Sequence, residues 1–282
     1  MSTNENSALV VREDGQWAIT ASEGGQTLAA LLELGIDKHE LPQVKVPSGG
    51  AVTWEVPLAD GIESTKELDI IIAVPRGGMR RYFATSFEDS EDGGSAPDCS
   101  SDSFTGENGM EPAKGYGKLV ADEDAPKSIR ECQSCPKNQW KSAGDGKKGK
   151  GCGEYFHLIA FVPGEARPIV VHVPPTSLKA CKTYIMGQIS KRGMDATARV
   201  VTTLKLRKEP KPSPHSVIEF QFKEELGEGE AASMKSFAQR LNQQYPRMSA
   251  DEMRARDAEE GDQPVDVEVE NDAGEEWVEA ED

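Results

Sequence analysis

Apolar residues come in short runs along this chain of 282 residues, and most runs carry the signature of strands. Residues 51–56, 67–74 and 79–87 are rich in β-branched and aromatic side chains and predict three strands, with Pro75, Arg76, Gly77 and Gly78 as the turn between the second and third. Residues 154–162 and 168–173 flank Pro163 and Gly164 and predict a hairpin. Alternation at period two over 198–207 and 216–223 predicts two half-buried antiparallel strands, joined by a proline-rich turn at 210–214. Helical spacing is rarer. Leu178, Cys181, Tyr184, Ile185 and Ile189 line one face over 177–192, with Thr176 as N-cap and Gly193 as stop. Met234, Phe237, Ala238 and Leu241 do the same over 231–244, ahead of Pro246, and a short helix over 27–34 ends at Gly35.

About seven short strands with two or three helices predict a β-rich α+β fold, either a partly open OB-like barrel or a curved antiparallel sheet. The chain divides into a weakly patterned segment at 1–50, a β-rich core domain at 51–225, a C-terminal helix at 226–248 and a disordered acidic tail at 249–282. Within the core domain, residues 88–153 are loop-like, with glycine, serine, aspartate and proline throughout. An insertion of that length needs something other than a hydrophobic core to hold it.

Four cysteines in the insertion supply that something. Cys132 and Cys135 form a C-x2-C pair, Cys152 follows after sixteen intervening residues, and Cys99 lies upstream. A C-x2-C turn presents two thiolates from one tight loop and tetrahedral zinc takes four ligands, so Cys99, Cys132, Cys135 and Cys152 are the expected structural Zn2+ site. Spacing alone leaves His157 open as a substitute for the distant Cys99. A redox C-x2-C sits at a strand-to-helix junction, whereas Pro136 here continues a loop. Cys181 falls on the apolar helix face and reads as core. The start is polar and acidic and the longest apolar runs are strand-sized, so a cytoplasmic, reducing location with no membrane segment is expected.

The net charge of −17 is unevenly spread: residues 249–282 carry −13, with fifteen Asp and Glu against Arg254 and Arg256. The other 248 residues carry −4, and within them residues 174–211 hold +7 and 127–157 hold +4. Such segregation predicts a polyanion-binding body with a separate tail. Beside the cysteines, Trp140 stands among Lys141, Lys147, Lys148, Lys150 and four glycines. On the strands, Arg76, Arg80, Arg81 and Tyr82 cluster, Lys205 and Arg207 end another run, and Trp54 adds an aromatic. Single-strand binders combine phosphate neutralisation with base stacking in this way, and no helix here carries the clustered basic face of a major-groove reader. In the tail, Trp277 is a lone aromatic among carboxylates and the expected anchor for a partner protein. The sequence has no HExxH, P-loop, GxSxG or dinucleotide fingerprint, so catalysis is not expected.

Three elements carry a resemblance: P-x-C-x-S-D from Pro97 to Asp102, C-x2-C-P-x-N-x-W from Cys132 to Trp140, and G-K-x-C from Gly149 to Cys152. Together they resemble a group of bacteriophage and prophage four-cysteine zinc-binding proteins, over residues 96–184, about a third of the chain. The resemblance implies Cys99, in preference to His157, as the fourth ligand. The acidic tail is similar in architecture to those of bacterial and phage single-stranded DNA-binding proteins. The expected function is that of a zinc-stabilised, non-enzymatic single-stranded DNA-binding protein of phage replication or recombination, in the host cytoplasm. Its tail would provide autoinhibition and bind replication or recombination proteins. The alternative is a protein-binding adaptor or inhibitor of a host nucleic-acid enzyme, with zinc purely structural; oligomeric state is left open.

Overall fold

The computed structural model describes residues 9–11, 17–19, 41–58, 61–84, 96–102, 112–122, 124–144, 149–162, 165, 167–210 and 214–261. In chain order the strands are β1 (Leu9–Val11), β2 (Trp17–Ile19), β3 (Gln43–Val44), β4 (Trp54–Leu58), β5 (Gly61–Thr65), β6 (Glu67–Tyr82), β7 (Cys99–Ser101), β8 (Lys114–Gly117), β9 (Ser128–Glu131), β10 (Cys152–Phe161), β11 (Ile169–Val173), β12 (Val200–Glu209) and β13 (His215–Glu225). The helices are α1 (Leu178–Arg192), α2 (Glu228–Gln244) and α3 (Ala250–Gly261). The helix expected over 27–34 lies outside the described residues.

The class is α+β. Nine strands form one open mixed sheet in the order β3-β11-β10-β6-β7-β8-β9, with β12 and then β13 branching from β6. Among the described residues the sheet does not close into a barrel. Its pairings are antiparallel except that of β11 with β3. No helix of the described residues is long and apolar enough to cross a membrane.

Of the residues expected as two strands and a turn, Glu67–Tyr82 form a single strand of sixteen residues, β6, and residues 85–87 lie outside the described residues. Along one edge of β6, β12 pairs with residues 67–70 and β7 with residues 80–82. Between them that edge has no partner strand among the described residues. Pro75, which has no N–H to donate, falls in this stretch and lies opposite Leu158 of β10. Gly77 serves a close approach: the Phe156 ring lies where a Cβ would be, 2.0 Å from its position.

Ile70, Ile71, Ile72, Ala73 and Val74 are all buried, the continuous apolar run of a strand covered on both faces. Ile70 and Ile72 pack with Trp54, Leu158, Leu204 and the α1 residues Cys181 and Ile185. Ile71 and Ala73 pack on the other face with Phe161 and the α2 residues Met234, Phe237 and Leu241. The sheet is thus the middle of three layers. Gly193 ends α1 as expected, at φ +103, its N–H bonded to the Ile189 carbonyl at 2.8 Å. The expected cap Thr176 lies instead in a 3-10 turn, Pro175–Ser177, and Ser177 Oγ accepts the N–H of Ile218 at 2.9 Å.

Two further expectations are corrected. The insertion is not merely loop: β7, β8 and β9 extend the main sheet beyond β6. Nor is the chain unfolded from residue 249, since Ala250–Gly261 is helical. Ser249 and Glu252 form a reciprocal capping box, with Ser249 N donating to Glu252 Oε2 at 2.6 Å and Glu252 N to Ser249 Oγ at 3.1 Å. Ala250 and Met253 are buried, and Asp257 accepts from Tyr116 Oη at 2.7 Å and from Lys127. Residues 262–282 lie outside the described residues.

Gly77→Ala is expected to destabilise the fold by about 1–3 kcal/mol, the range for overpacking a filled site. The loss should shrink in a Phe156→Ala background. Urea unfolding of the four proteins in this double-mutant cycle measures the coupling, and equal losses in both backgrounds would contradict it.

Candidate metal centre and the neighbouring cavity

Strand pairing brings the cysteines together. Tyr82 near the end of β6 is opposite Cys152 of β10 on one side and Cys99 of β7 on the other, so the three side chains share a face. Cys132 follows β9, its N–H bonded to the Ala113 carbonyl at 2.7 Å, and Cys135 leads into a 3-10 turn, Pro136–Asn138. All four cysteines line one small cavity, with Arg80, Arg130 and Lys137 among its other walls. Gly115 leaves room for two of the sulfurs: a Cβ there would stand 3.3 Å from Cys132 Sγ and 3.6 Å from Cys99 Sγ. All four are free of disulfides.

Among the described residues, no three His, Cys, Asp or Glu side chains stand in ready coordinating geometry. The four cysteines nevertheless line one cavity. As free thiols, Cys99, Cys132 and Cys152 hold their protons tightly. Burial first, then the other cysteines against the relief of Arg130, pushes Cys99 up to about 12. Burial and Cys132 push Cys152 up to about 11, and Cys132 itself is raised by burial against a Ser101 hydrogen bond and Arg80. Four thiols with this donor chemistry suit a thiophilic divalent ion such as Zn2+, whose binding would release their protons.

The knuckle is wired by side chains that spacing rules did not single out. Asn138 Nδ2 donates to the Cys132 carbonyl at 2.6 Å, while its Oδ1 accepts from Arg80 Nη1 and Lys150 Nζ, each at 3.1 Å. Gln139 Nε2 donates to the carbonyls of Gln133 at 3.0 Å and Cys135 at 3.3 Å. Ser142 Oγ accepts from Gly151 N at 2.9 Å and closes the base of the glycine-lysine loop. The only sequence signal for Asn138 is its fixed place in C-x2-C-P-x-N-x-W. Trp140 projects from this frame, 67% exposed, beside Lys141 at φ +71.

The remaining residues expected to touch nucleic acid are dispersed. Trp54 is fully buried, its Nε1 donating to the Leu204 carbonyl at 3.2 Å, so it belongs to the core and offers no stacking face. Tyr82 is also buried, with Lys137 Nζ 5.1 Å from its ring centroid. Lys205 pairs with Glu67 at 2.6 Å, and Arg207 pairs with Glu219 at 2.6 Å and with Glu209. Lys147, Lys148 and Trp277 lie outside the described residues.

Arg76, Arg81 and His157 face a second cavity. Arg76 is opposite His157 in the β6–β10 pair and His157 is opposite His172 in the β10–β11 pair, so three strands set the side chains in a row. The two imidazole centroids are 4.3 Å apart. Gln43 Nε2 donates to the Leu41 carbonyl at 2.6 Å, which turns its Oε1 toward His172 Nε2 at 2.5 Å and makes that nitrogen the donor. His157 therefore belongs to this cavity, and Cys99 lines the cysteine cavity. Comparison with protein-family models, curated proteins and solved structures returns no match.

Burial first, then Lys45 and Arg81, hold the His172 imidazole down at about 4, against 6.5 for the free side chain. The folded state consequently binds fewer protons than the unfolded chain between those values, and stability is lost as pH falls from 6.5 toward 4. His172→Gln is expected to make that acid limb shallower. Urea midpoints at pH 7 and pH 5 for both proteins test this, and parallel losses would exclude His172 from the acid response.

Proposed function

We propose that the protein is a zinc-stapled, non-enzymatic single-stranded DNA-binding protein of phage replication or recombination, with the cysteine knuckle as its principal contact. The observation that carries this reading is Trp140, exposed on a basic loop that stands on a four-cysteine cavity. Zn2+ bound by Cys99, Cys132, Cys135 and Cys152 would supply the cross-link for an insertion with little apolar core. Asn138, Gln139 and Ser142 hold the loop in shape, while Trp140 offers an aromatic face and Lys141 and Lys150 contact phosphates. The acidic sequence after Gly261 continues from α3, which packs on the insertion through Tyr116 and Lys127. It would compete with nucleic acid for the lysines of the knuckle and present Trp277 to replication or recombination proteins.

A second reading, a protein-docking adaptor or inhibitor of a host nucleic-acid enzyme, is favoured by one observation. Lys205 and Arg207 are already engaged by glutamates of this chain. The same zinc site would then hold a docking loop.

Elemental analysis is expected to give one zinc per chain. Cys132→Ser should lose it and lower the melting temperature, and a metal-free wild-type protein with unchanged stability would contradict the staple. Trp140→Ala should weaken oligo-dT binding by about 1–3 kcal/mol, the worth of one stacked base, with the fold intact by circular dichroism. Deletion of residues 262–282 should tighten binding at low salt. No affinity for oligo-dT at low salt, with or without those residues, would favour the adaptor.

A further inference from the structure

The cavity beside the two histidines holds an excess of positive charge that nothing described in the chain neutralises. Arg76, Arg81 and Arg247 all line it, and Asp102 is its one carboxylate among the described residues. Asp102 is committed: its Oδ1 accepts from Arg81 Nη2 at 2.7 Å. Arg247, at the rim, is held by main-chain acceptors, with Nη1 donating to the carbonyls of Gly77 and Asp102 at 2.7 Å each. Arg76 is the unusual group. It is only 6% exposed, its Nη2 reaches Asn242 Oδ1 at a long 3.4 Å, and its Nε has no hydrogen-bond partner among the described residues.

A buried guanidinium with a free donor and no carboxylate of its own is costly unless an anion completes it. Burial first, then Arg247, pulls Arg76 down to about 10, with Asp102 pulling the other way, so the group remains a cation at neutral pH. The cavity is about 80 Å3, several times the ~10–15 Å3 one water needs, so it has room for a small polyatomic ion.

We propose that this cavity is a phosphate-binding site, in which Arg76 and Arg247 donate to a tetrahedral phosphate group from opposite sides. Three guanidiniums against one carboxylate leave two positive charges. A phosphate carries about −1.5 to −2 at neutral pH and matches them, whereas a single carboxylate would leave one uncompensated. The β6–β10–β11 row fixes the inner wall, with His157 and His172 as the polar side, and Arg247 stands at the mouth. Met79 and Arg81 of this site alternate along β6 with Arg80 and Tyr82 of the cysteine cavity, so the two sites use opposite faces of the same stretch, and the proposal does not depend on the nucleic-acid reading.

The test uses the full-length protein and inorganic phosphate, with sodium chloride and sodium acetate at matched ionic strength as controls. Phosphate is expected to bind saturably, one per chain by calorimetry, and to raise the melting temperature where chloride and acetate do not. Arg247→Gln should weaken phosphate at least about tenfold, the loss expected for one charge-assisted hydrogen bond. Arg76→Met should abolish binding, and if that variant does not fold, Arg247→Gln decides alone. A second arm compares 5′-phosphorylated with 5′-hydroxyl oligo-dT. Tighter binding of the phosphorylated strand that Arg247→Gln removes assigns the site to a strand terminus, while no difference, with phosphate still bound, assigns it to a free phosphate. Equal stabilisation by acetate, no saturable phosphate binding, or undiminished phosphate affinity in Arg247→Gln would overturn the proposal.

Discussion

The pairing of β6 with β10 is the constraint on which everything else in the molecule depends. Its register runs from Cys152 opposite Tyr82 to Phe161 opposite Ile71. The same ladder therefore sets which apolar residues meet α1 and which meet α2, and whether Cys152 shares a face with Cys99. Because side chains alternate along a strand, a slip of one residue would exchange core faces and scatter the cysteines together. Two irregularities, between Tyr155 and His157 and between Ile159 and Ala160, adjust the ladder between its halves. Phe156 lying over Gly77 marks the changeover.

The two halves of that ladder are stabilised by different means. The half that includes Ile70 to Val74 is covered by a helix on each face and rests on apolar burial. The half around Tyr82 is bordered by the insertion, whose described residues contribute few buried apolar groups. There the structure relies on directed contacts: Asn138 between Arg80, Lys150 and the Cys132 carbonyl, Arg81 on Asp102, and Ser142 on Gly151. Positive charge follows the same division. On the core strands it is quenched by neighbouring glutamates, whereas at the polar end of the sheet it stays exposed on the knuckle or enclosed around Arg76.

Periodicity was enough to locate β10, β11, β12, β13, α1 and α2, because each carries its apolar residues at the spacing of its own element. It failed at β6. Proline and two glycines normally announce a turn, and only the three-dimensional arrangement leaves one edge of that strand open opposite them. It failed again at β7, β8 and β9, strands of three or four residues whose pairing is set by neighbours far away in sequence. The helix after Ser249 was legible in principle, since Ser249 and Glu252 are a capping-box pair, but the density of acidic residues concealed it. The four cysteines were readable from spacing. The histidine and arginine cavity was not, since Arg76, His157, His172 and Arg247 lie far apart in sequence and only three adjacent strands and the segment after α2 bring them to one place.

The unequal cover of β6 has a consequence for how the molecule breathes. Amides near Ile70 to Val74 can exchange with solvent only when both helix-covered faces come apart, which amounts to global unfolding. Amides of β7, β8 and β9 sit on a border with little apolar burial and can open as a separate cooperative unit while the core stays shut. Any ligand that clamps the insertion would therefore slow hydrogen exchange at that border far more than in the core, so the exchange pattern distinguishes loss of the clamp from loss of the fold.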